Sequence, residues 1–250
     1  LLSRRRFAGR VVAASAGLAG LPSILRAQLA PGIVRGTNGR PQIVGGVMSG
    51  DVMGDSAVVW SRSDRPAVMV VEYSTEESFR NARRVGGPAA LEDSDFTAKL
   101  SLSGLPAGQQ IFYRVPFEDL ADARVGSEPV TGSFKTVPSG RRDVMFAWSG
   151  DTVGQGFGID PARGGMRTYE TIRRMQPDFF VHSGDTIYAD NPVSPALRLE
   201  DGTSWKNLTT GPKSKVAGTR AGFRCHHFDN QTRGQNRRLN AGGPAPSRWD

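Results

Sequence analysis

Two stretches of this chain repeat the same four residues, Ser149-Gly150-Asp151-Thr152 and Ser183-Gly184-Asp185-Thr186, each behind an apolar run. In the second, Phe179–His182 reads as a short buried strand, and Gly184 lets the backbone turn sharply where it ends. That turn delivers Asp185, with Tyr188 and Asp190 close behind. A carboxylate and a phenolic oxygen can therefore converge past the strand's carboxyl end, where open α/β sheets place their ligands. If the first repeat ends a neighbouring parallel strand, Asp151 stands beside Asp185. Two such carboxylates repel one another unless a divalent or trivalent cation lies between them. A pair of metal ions bridged by one carboxylate can bind a phosphate oxygen, lower the pKa of a bound water towards neutrality and supply a hydroxide for in-line attack at phosphorus. Tyr188 adds a phenolate, a hard donor suited to a ferric ion. A Gly-Asp pair at a strand end is also a common turn or helix cap, and for Asp151 taken alone that reading stays open.

The elements that would hold these residues are legible around them. The run Val144–Trp148 predicts a strand ending at Gly150 and Asp151, followed by a Gly-rich loop. Over Gly164–Met175, the residues Met166, Tyr169, Ile172 and Met175 recur at intervals of three, which places them along one face of a helix, and Pro177 stops it. The result is a β-α-β unit, whose right-handed crossover makes both strands parallel and brings both acid-bearing tips to one sheet edge. His182 lies on the buried strand, before the tip and on the face opposite Ser183, and reads as a core histidine rather than a ligand. His226 and His227 carry no pattern that assigns them a role.

Before Val137–Arg142 the pattern is different. Alternating, β-rich runs start at Ser56, Ala67, Phe96 and Gln109, and Gly132–Pro138 closes the series, with turn residues between them and no helical period. Such runs predict a small antiparallel sandwich. The phrase Leu100–Val115 resembles the E-to-F strand passage of fibronectin type III-like domains, with Tyr113 as the tyrosine early in the later strand. No titratable cluster stands out here, so the expected role is structural packing beside a second domain.

The chain has 250 residues, long enough for one large or two small cores, and a formal net charge of +8. Part of that excess sits in the first ten residues and part in the last fifty, and no aromatic and basic residues interleave, so no nucleic-acid-binding module is expected. One cysteine, Cys225, excludes an internal disulfide. Ser3–Phe7, "SRRRF", precedes an uncharged run from Val11 to Leu25 that is too short for a stable membrane span. The paired Arg4 and Arg5 resemble a twin-arginine export signal over residues 1–30, which implies passage through that machinery to the periplasm or beyond, already folded.

Taken in order, "GVMSGD", "SAVVWSR", "FAWSGDT" and "FFVHSGDTIYAD" resemble the PhoD-type alkaline phosphatases and phosphodiesterases of the metallophosphoesterase superfamily, whose purple-acid-phosphatase-like members carry Gly-Asp-x-x-Tyr on the second strand. The resemblance implies a fibronectin type III-like β sandwich at residues 42–138, followed by the start of an α/β metallophosphoesterase domain at 143–250. It makes Asp151 a ligand of the first metal, Asp185 the bridging and catalytic ligand and Tyr188 a ligand of Fe3+, with Ca2+ or another divalent ion in the second position. The implied substrate is a phosphate ester attacked by a metal-bound hydroxide. Some family members carry Cys where Asp151 stands, and Asp190 and Asn191 would fall near the metals or substrate without an assigned role. The family's further Asn, His and Asp ligands have no counterpart by the time the sequence reaches Trp249 and Asp250, which implies an incomplete catalytic domain. From Gly211 onwards the chain is rich in Arg, Gly, Asn and Gln, a composition expected to bury little core. The alternatives are an inactive exported fragment whose intact part is a fibronectin-like binding module, and a calcium site used only for structure.

Overall fold

The computed structural model describes residues 39–153, 157–242 and 246–248, which fall in one compact unit, Asn38–Asp250. The expected export signal at 1–30, and Trp249 and Asp250, lie outside the described residues. The first half comprises β1 (Ile43–Gly50), β2 (Ser56–Ser63), β3 (Ala67–Ser74), β4 (Arg83–Ala90), β5 (Thr97–Ser103), β6 (Gln110–Val115), β7 (Phe117–Asp119) and β8 (Val130–Lys135). They form two antiparallel sheets, β1-β2-β5 and β4-β3-β6-β8, with β7 added to β3.

Period-two alternation turns one row of each strand inward, so that Val47, Val59, Met69, Val71, Ile111, Tyr113, Val115 and Phe117 fill the space between the sheets. The strands expected at Ser56, Ala67, Phe96 and Gln109 are present. Two strands are unexpected, β1 and β4, the latter with a sequence, Arg-Arg-Val-Gly-Gly-Pro-Ala-Ala, lacking the β-branched alternation that marks a strand. Its pairing with β3 supplies what its composition does not: a Cβ on Gly87 would lie 3.1 Å from the Met69 carbonyl oxygen.

Beyond the sandwich come β9 (Phe146–Ser149), a 3-10 turn at Pro161–Arg163, α1 (Arg167–Met175) and β10 (Phe179–His182). β9 and β10 are parallel, with Ser149 opposite His182, as the β-α-β reading requires. A hairpin follows, β11 (Ala196–Arg198) with β12 (Ser204–Lys206), then α2 (Arg220–Gln231), α3 (Gly234–Gly242) and β13 (Pro246–Arg248), which pairs parallel to the other side of β10. Ile159, Met166, Tyr169, Ile172, Phe180 and Leu239 make this half's core.

Three expectations are corrected. Met175 is 58% exposed although it shares the three-residue spacing of Met166, Tyr169 and Ile172. Steps of three in a helix of 3.6 residues per turn drift steadily round the cylinder, so the fourth member of the series has left the buried stripe. The strand β10, expected to be buried, is buried on one face only: Phe180 and His182 are inside, whereas Phe179 is 37% exposed and stacks on Phe146 of the neighbouring β9 at 5.3 Å, on a face that also leaves Trp148 72% exposed. The stretch after Gly211, poor in aliphatic residues, nonetheless forms two ordered helices. Thr219 caps α2 by accepting from the Gly222 amide at 3.1 Å, and Leu239 of α3 is fully buried, while much of the remaining packing is done by buried asparagines. No helix among the described residues is long and apolar enough to cross a membrane.

Candidate metal centre

The two Ser-Gly-Asp-Thr repeats extend the parallel ladder past the ends of its strands. The Ser183 amide donates to Ser149 O at 2.9 Å, the Asp151 amide to Gly184 O at 3.2 Å and the Thr152 amide to Asp185 O at 2.7 Å. Gly184 turns the chain at φ 102°, and Asp151 and Asp185 then adopt matching left-handed conformations at φ 56° and 53°. Aspartate is among the few residues that tolerate this region, at a cost of roughly 1–2 kcal/mol relative to the right-handed one. The outcome is two carboxylates side by side at one sheet edge.

Tyr188 closes the arrangement. Its hydroxyl donates to Asp151 Oδ1 in a short bond and lies 3.1 Å from Asp185 Oδ2. The bond to Asp151, together with partial burial and the Asp185 carboxylate, holds the phenol's pKa well above its ordinary value of 10. The phenolic proton is thus the positive centre that three hard oxygens share. A hard cation replacing that proton would meet two carboxylates and a phenolate, a donor set that fits such an ion. The structure therefore brings together all three residues that sequence reasoning singled out. It adds no carboxylate or imidazole cage around them: among the described residues no group of three or more His, Cys, Asp or Glu side chains could hold a metal ion.

Each carboxylate-bearing loop is fixed from behind. After Asp151, the buried Thr152 hydroxyl shares hydrogen bonds with Tyr169 OH at 2.5 Å and His182 Nε2 at 2.8 Å. His182 is a core histidine, as expected, but one whose ring nitrogen steadies the neighbour of a candidate ligand. After Asp185, the Thr186 carbonyl accepts from Asn230 Nδ2 at 3.0 Å, and its hydroxyl lies 3.2 Å from His227 Nδ1. Asn230 and His227 were beyond sequence reasoning, since their only signal is that one helix brings both to Thr186.

Two cavities flank this loop pair. One, of about 610 Å³, opens beside Asp151 and carries Arg163 and Arg167 on its wall with Phe157 and Trp205, whose rings meet edge-on at 5.7 Å. The other, of about 350 Å³, lies beside Tyr188 and is lined by Asp190, Asn191, His226 and Lys213 among others. Lys213 is buried, bonded to Asn230 Oδ1 at 2.9 Å and paired with Asp229 at 3.2 Å. Burial holds its pKa below the ordinary lysine value despite the nearby Asp229 carboxylate. Asp160, also buried, is a structural cap: its carboxylate accepts from the amides of Lys206, Ala162 and Arg163, which hold its pKa low.

Comparison with known proteins agrees with this architecture. Residues 28–138 match the family model of the N-terminal domain of PhoD-like phosphatases, and residues 146–250 match that of the PhoD-like phosphatases. A solved structure titled "Structure of PhoD" superposes with a TM-score of 0.62 at 21% identity, over 82% of this chain and 38% of its own. The purple acid phosphatase PPD1 from yellow lupin (Lupinus luteus) seeds superposes with a TM-score of 0.51 at 15% identity, over 84% of this chain and 35% of its own. At these identities the likeness is one of fold, and this chain spans well under half the length of either structure. No curated protein gives a match.

Proposed function

Because this chain belongs to the PhoD-like phosphatase family, we propose that it forms part of an exported, metal-dependent phosphoesterase acting on phosphate monoesters or diesters. The observation that carries the reading is the meeting of Asp151, Asp185 and Tyr188 oxygens at one sheet edge. In this reading Asp151, Asp185 and Tyr188 would hold the metals, iron(III) being suited to the phenolate of Tyr188 and calcium or another divalent ion to the carboxylates, with Asp185 as their shared ligand. When bound, such ions supply Lewis-acid chemistry, polarising a phosphoryl oxygen and acidifying the water that attacks phosphorus. The chain's own residues do the rest. Tyr188 Oη must release its proton for the site to load, and the Asp151 carboxylate already accepts that hydrogen bond. Thr152, held by Tyr169 and His182, keeps the Asp151 loop in place. Arg167 offers a guanidinium group to phosphate oxygens from the cavity beside Asp151; the same wall also carries Arg163, held there by Thr203 and Asp160. The cavity beside Tyr188 offers room for the alcohol part of an ester.

The test is metal content by elemental analysis together with hydrolysis of p-nitrophenyl phosphate and its bis-ester, on the wild-type chain and Asp185→Asn. We expect bound iron, and hydrolysis that falls at least a hundredfold in the variant. Hydrolysis unaffected by Asp185→Asn would remove the bridging role. An intact fold with neither metal nor hydrolysis would favour a binding role for the sandwich.

Export by the twin-arginine route rests on Ser3–Phe7 alone. Replacing Arg4 and Arg5 with Lys should block delivery of a fused reporter, and undiminished delivery would reject that route.

A further inference from the structure

The candidate metal loop is tied to α3 by a buried chain of asparagines. Asn240 Nδ2 donates to Asn236 Oδ1 at 2.8 Å, Asn236 Nδ2 donates to Asn230 O at 3.1 Å, and Asn230 Nδ2 donates to Thr186 O at 3.0 Å. All three asparagines are at most 5% exposed. Buried amides in this number are stabilising only when each is satisfied, so a fully connected run specifies one geometry rather than a range. The last bond falls on the peptide carbonyl of the residue next to Asp185. Lys213, accepted by Asn230 Oδ1, fixes the same amide from its other side.

The far end of this run is seated on the sandwich. The backbone bulges in β1, where Gly45 and Gly46 have φ 101° and 83°, and the missing side chains admit α2 and α3. A Cβ on Gly45 would stand 3.1 Å from the Phe228 ring, and one on Gly46 would stand 3.4 Å from Arg237 Nε. Arg62 of β2 lies over the Phe228 ring at 4.4 Å. Along α3, Leu239 enters the second core while Ala241 packs on the first. A single short helix thus touches both cores, and its asparagines carry the connection onwards.

We infer that the sandwich acts as a buttress for the metal loop, and that Asn230 is the positioning residue through which it sets the place of Asp185. The identity of the ligand rests on the metalloenzyme reading, whereas the order of the loop can be measured without metal. The experiment uses the full chain, with Asn230→Leu, which removes both of its side-chain bonds, and Asn230→Asp, which keeps an acceptor for Lys213 but places a carboxylate against Thr186 O. Amide hydrogen exchange is followed in EDTA at Asp151 and Thr152, whose amides donate to Gly184 and Asp185, and at the β2 and β3 strand amides as a reference. Terbium(III) affinity, read by tyrosine-sensitised luminescence, follows the site itself. We expect both variants to exchange at least tenfold faster at the loop with unchanged strand amides, and to bind terbium about 10- to 100-fold more weakly, the range typical for partners behind a ligand. Phe228→Leu, at the sandwich end, should loosen the loop in the same direction. Loop exchange and terbium affinity within twofold of wild type in Asn230→Asp would overturn the inference, and a lowered melting temperature alone would leave Asn230 only a packing role. A wild-type chain that ignores terbium while the variants still loosen the loop would reject the metal reading and keep the buttress.

Discussion

The Tyr188 hydroxyl spans the two carboxylates that end neighbouring parallel strands, donating to Asp151 while lying 3.1 Å from Asp185. In Tyr188→Phe that shared proton disappears and the carboxylates face each other directly. Because Tyr188 is only half-buried, the fold should survive the loss of one hydroxyl. Iron retention should fall at least tenfold, and the tyrosinate-to-iron absorption band should be absent. A visible band in the purified variant would remove Tyr188 from the ligand set.

The left-handed backbone at Asp185 separates two roles of one residue. Asparagine tolerates φ near 53° about as well as aspartate does, whereas alanine there costs roughly 1–2 kcal/mol. Asp185→Asn and Asp185→Ala should therefore lose metal equally, while only the alanine variant unfolds at lower urea. Equal midpoints for the two variants would show that the turn relaxes on substitution.

At the other end of the molecule, a Cβ on Gly132 would lie 2.5 Å from the Tyr113 hydroxyl oxygen and 2.6 Å from the Ala241 carbonyl oxygen. One of those contacts is backbone, so α3 or the Tyr113 ring must move. Gly132→Ala should destabilise by about 1–3 kcal/mol, the usual range for an overpacked core, as read by urea unfolding. Exchange at the Asp185 loop should rise in the same variant, since α3 carries the asparagine run. A stable Gly132→Ala with a quiet loop would argue that β8 and α3 are free to separate.

Glu170 on α1 is paired with Arg173 at 2.8 Å, Arg174 at 3.1 Å and Arg238 of α3 at 3.5 Å. Those guanidiniums, Arg173 foremost, hold its pKa at about 2, against 4.5 for an unperturbed glutamate. A carboxylate depressed on folding contributes stability above its unfolded value and loses it as pH falls towards the folded one. The melting-temperature gap between wild type and Glu170→Gln should therefore be constant above about pH 5 and close progressively between pH 4.5 and 2. Added salt should narrow the gap at neutral pH, because the pairs are solvent-facing. A gap that widened on acidification would contradict the assignment.

Much of this architecture could be read from the chain before any coordinates. Alternation marked β2, β3, β5 and β6 because their inward rows are made of Val, Ala, Met, Leu and Tyr, and the paired Ser-Gly-Asp-Thr repeats located the site because both strands end in one sheet. The rest depended on information that local pattern does not carry. The strand β4 ends in Gly, Gly, Pro, Ala and Ala and is recognised by its pairing with β3, where Met69 comes close to Gly87. That Phe179 and Trp148 stay exposed depends on what packs over their face of the sheet, which composition cannot reveal. The helices α2 and α3 looked too polar to pack, and they pack through amides: Asn230, Asn236 and Asn240 are inside because each finds a partner there. Asparagine is ordinarily a surface residue, so nothing short of the tertiary structure distinguishes these three from their exposed neighbours.

The seat of α3 on β1 joins residues 234–242 to residues 43–50, one of the longest sequence separations bridged in the molecule. Contacts of such high order form late, because the intervening chain must first be ordered. The sandwich, whose strands all lie between residues 43 and 135, can assemble while the remainder is still emerging from the ribosome. The loop bearing Asp185 is clamped only once α2 and α3 have been made and have found the β1 bulge. During synthesis, then, a finished scaffold waits for the helix that will set its site, and a metal offered early would meet an unformed loop.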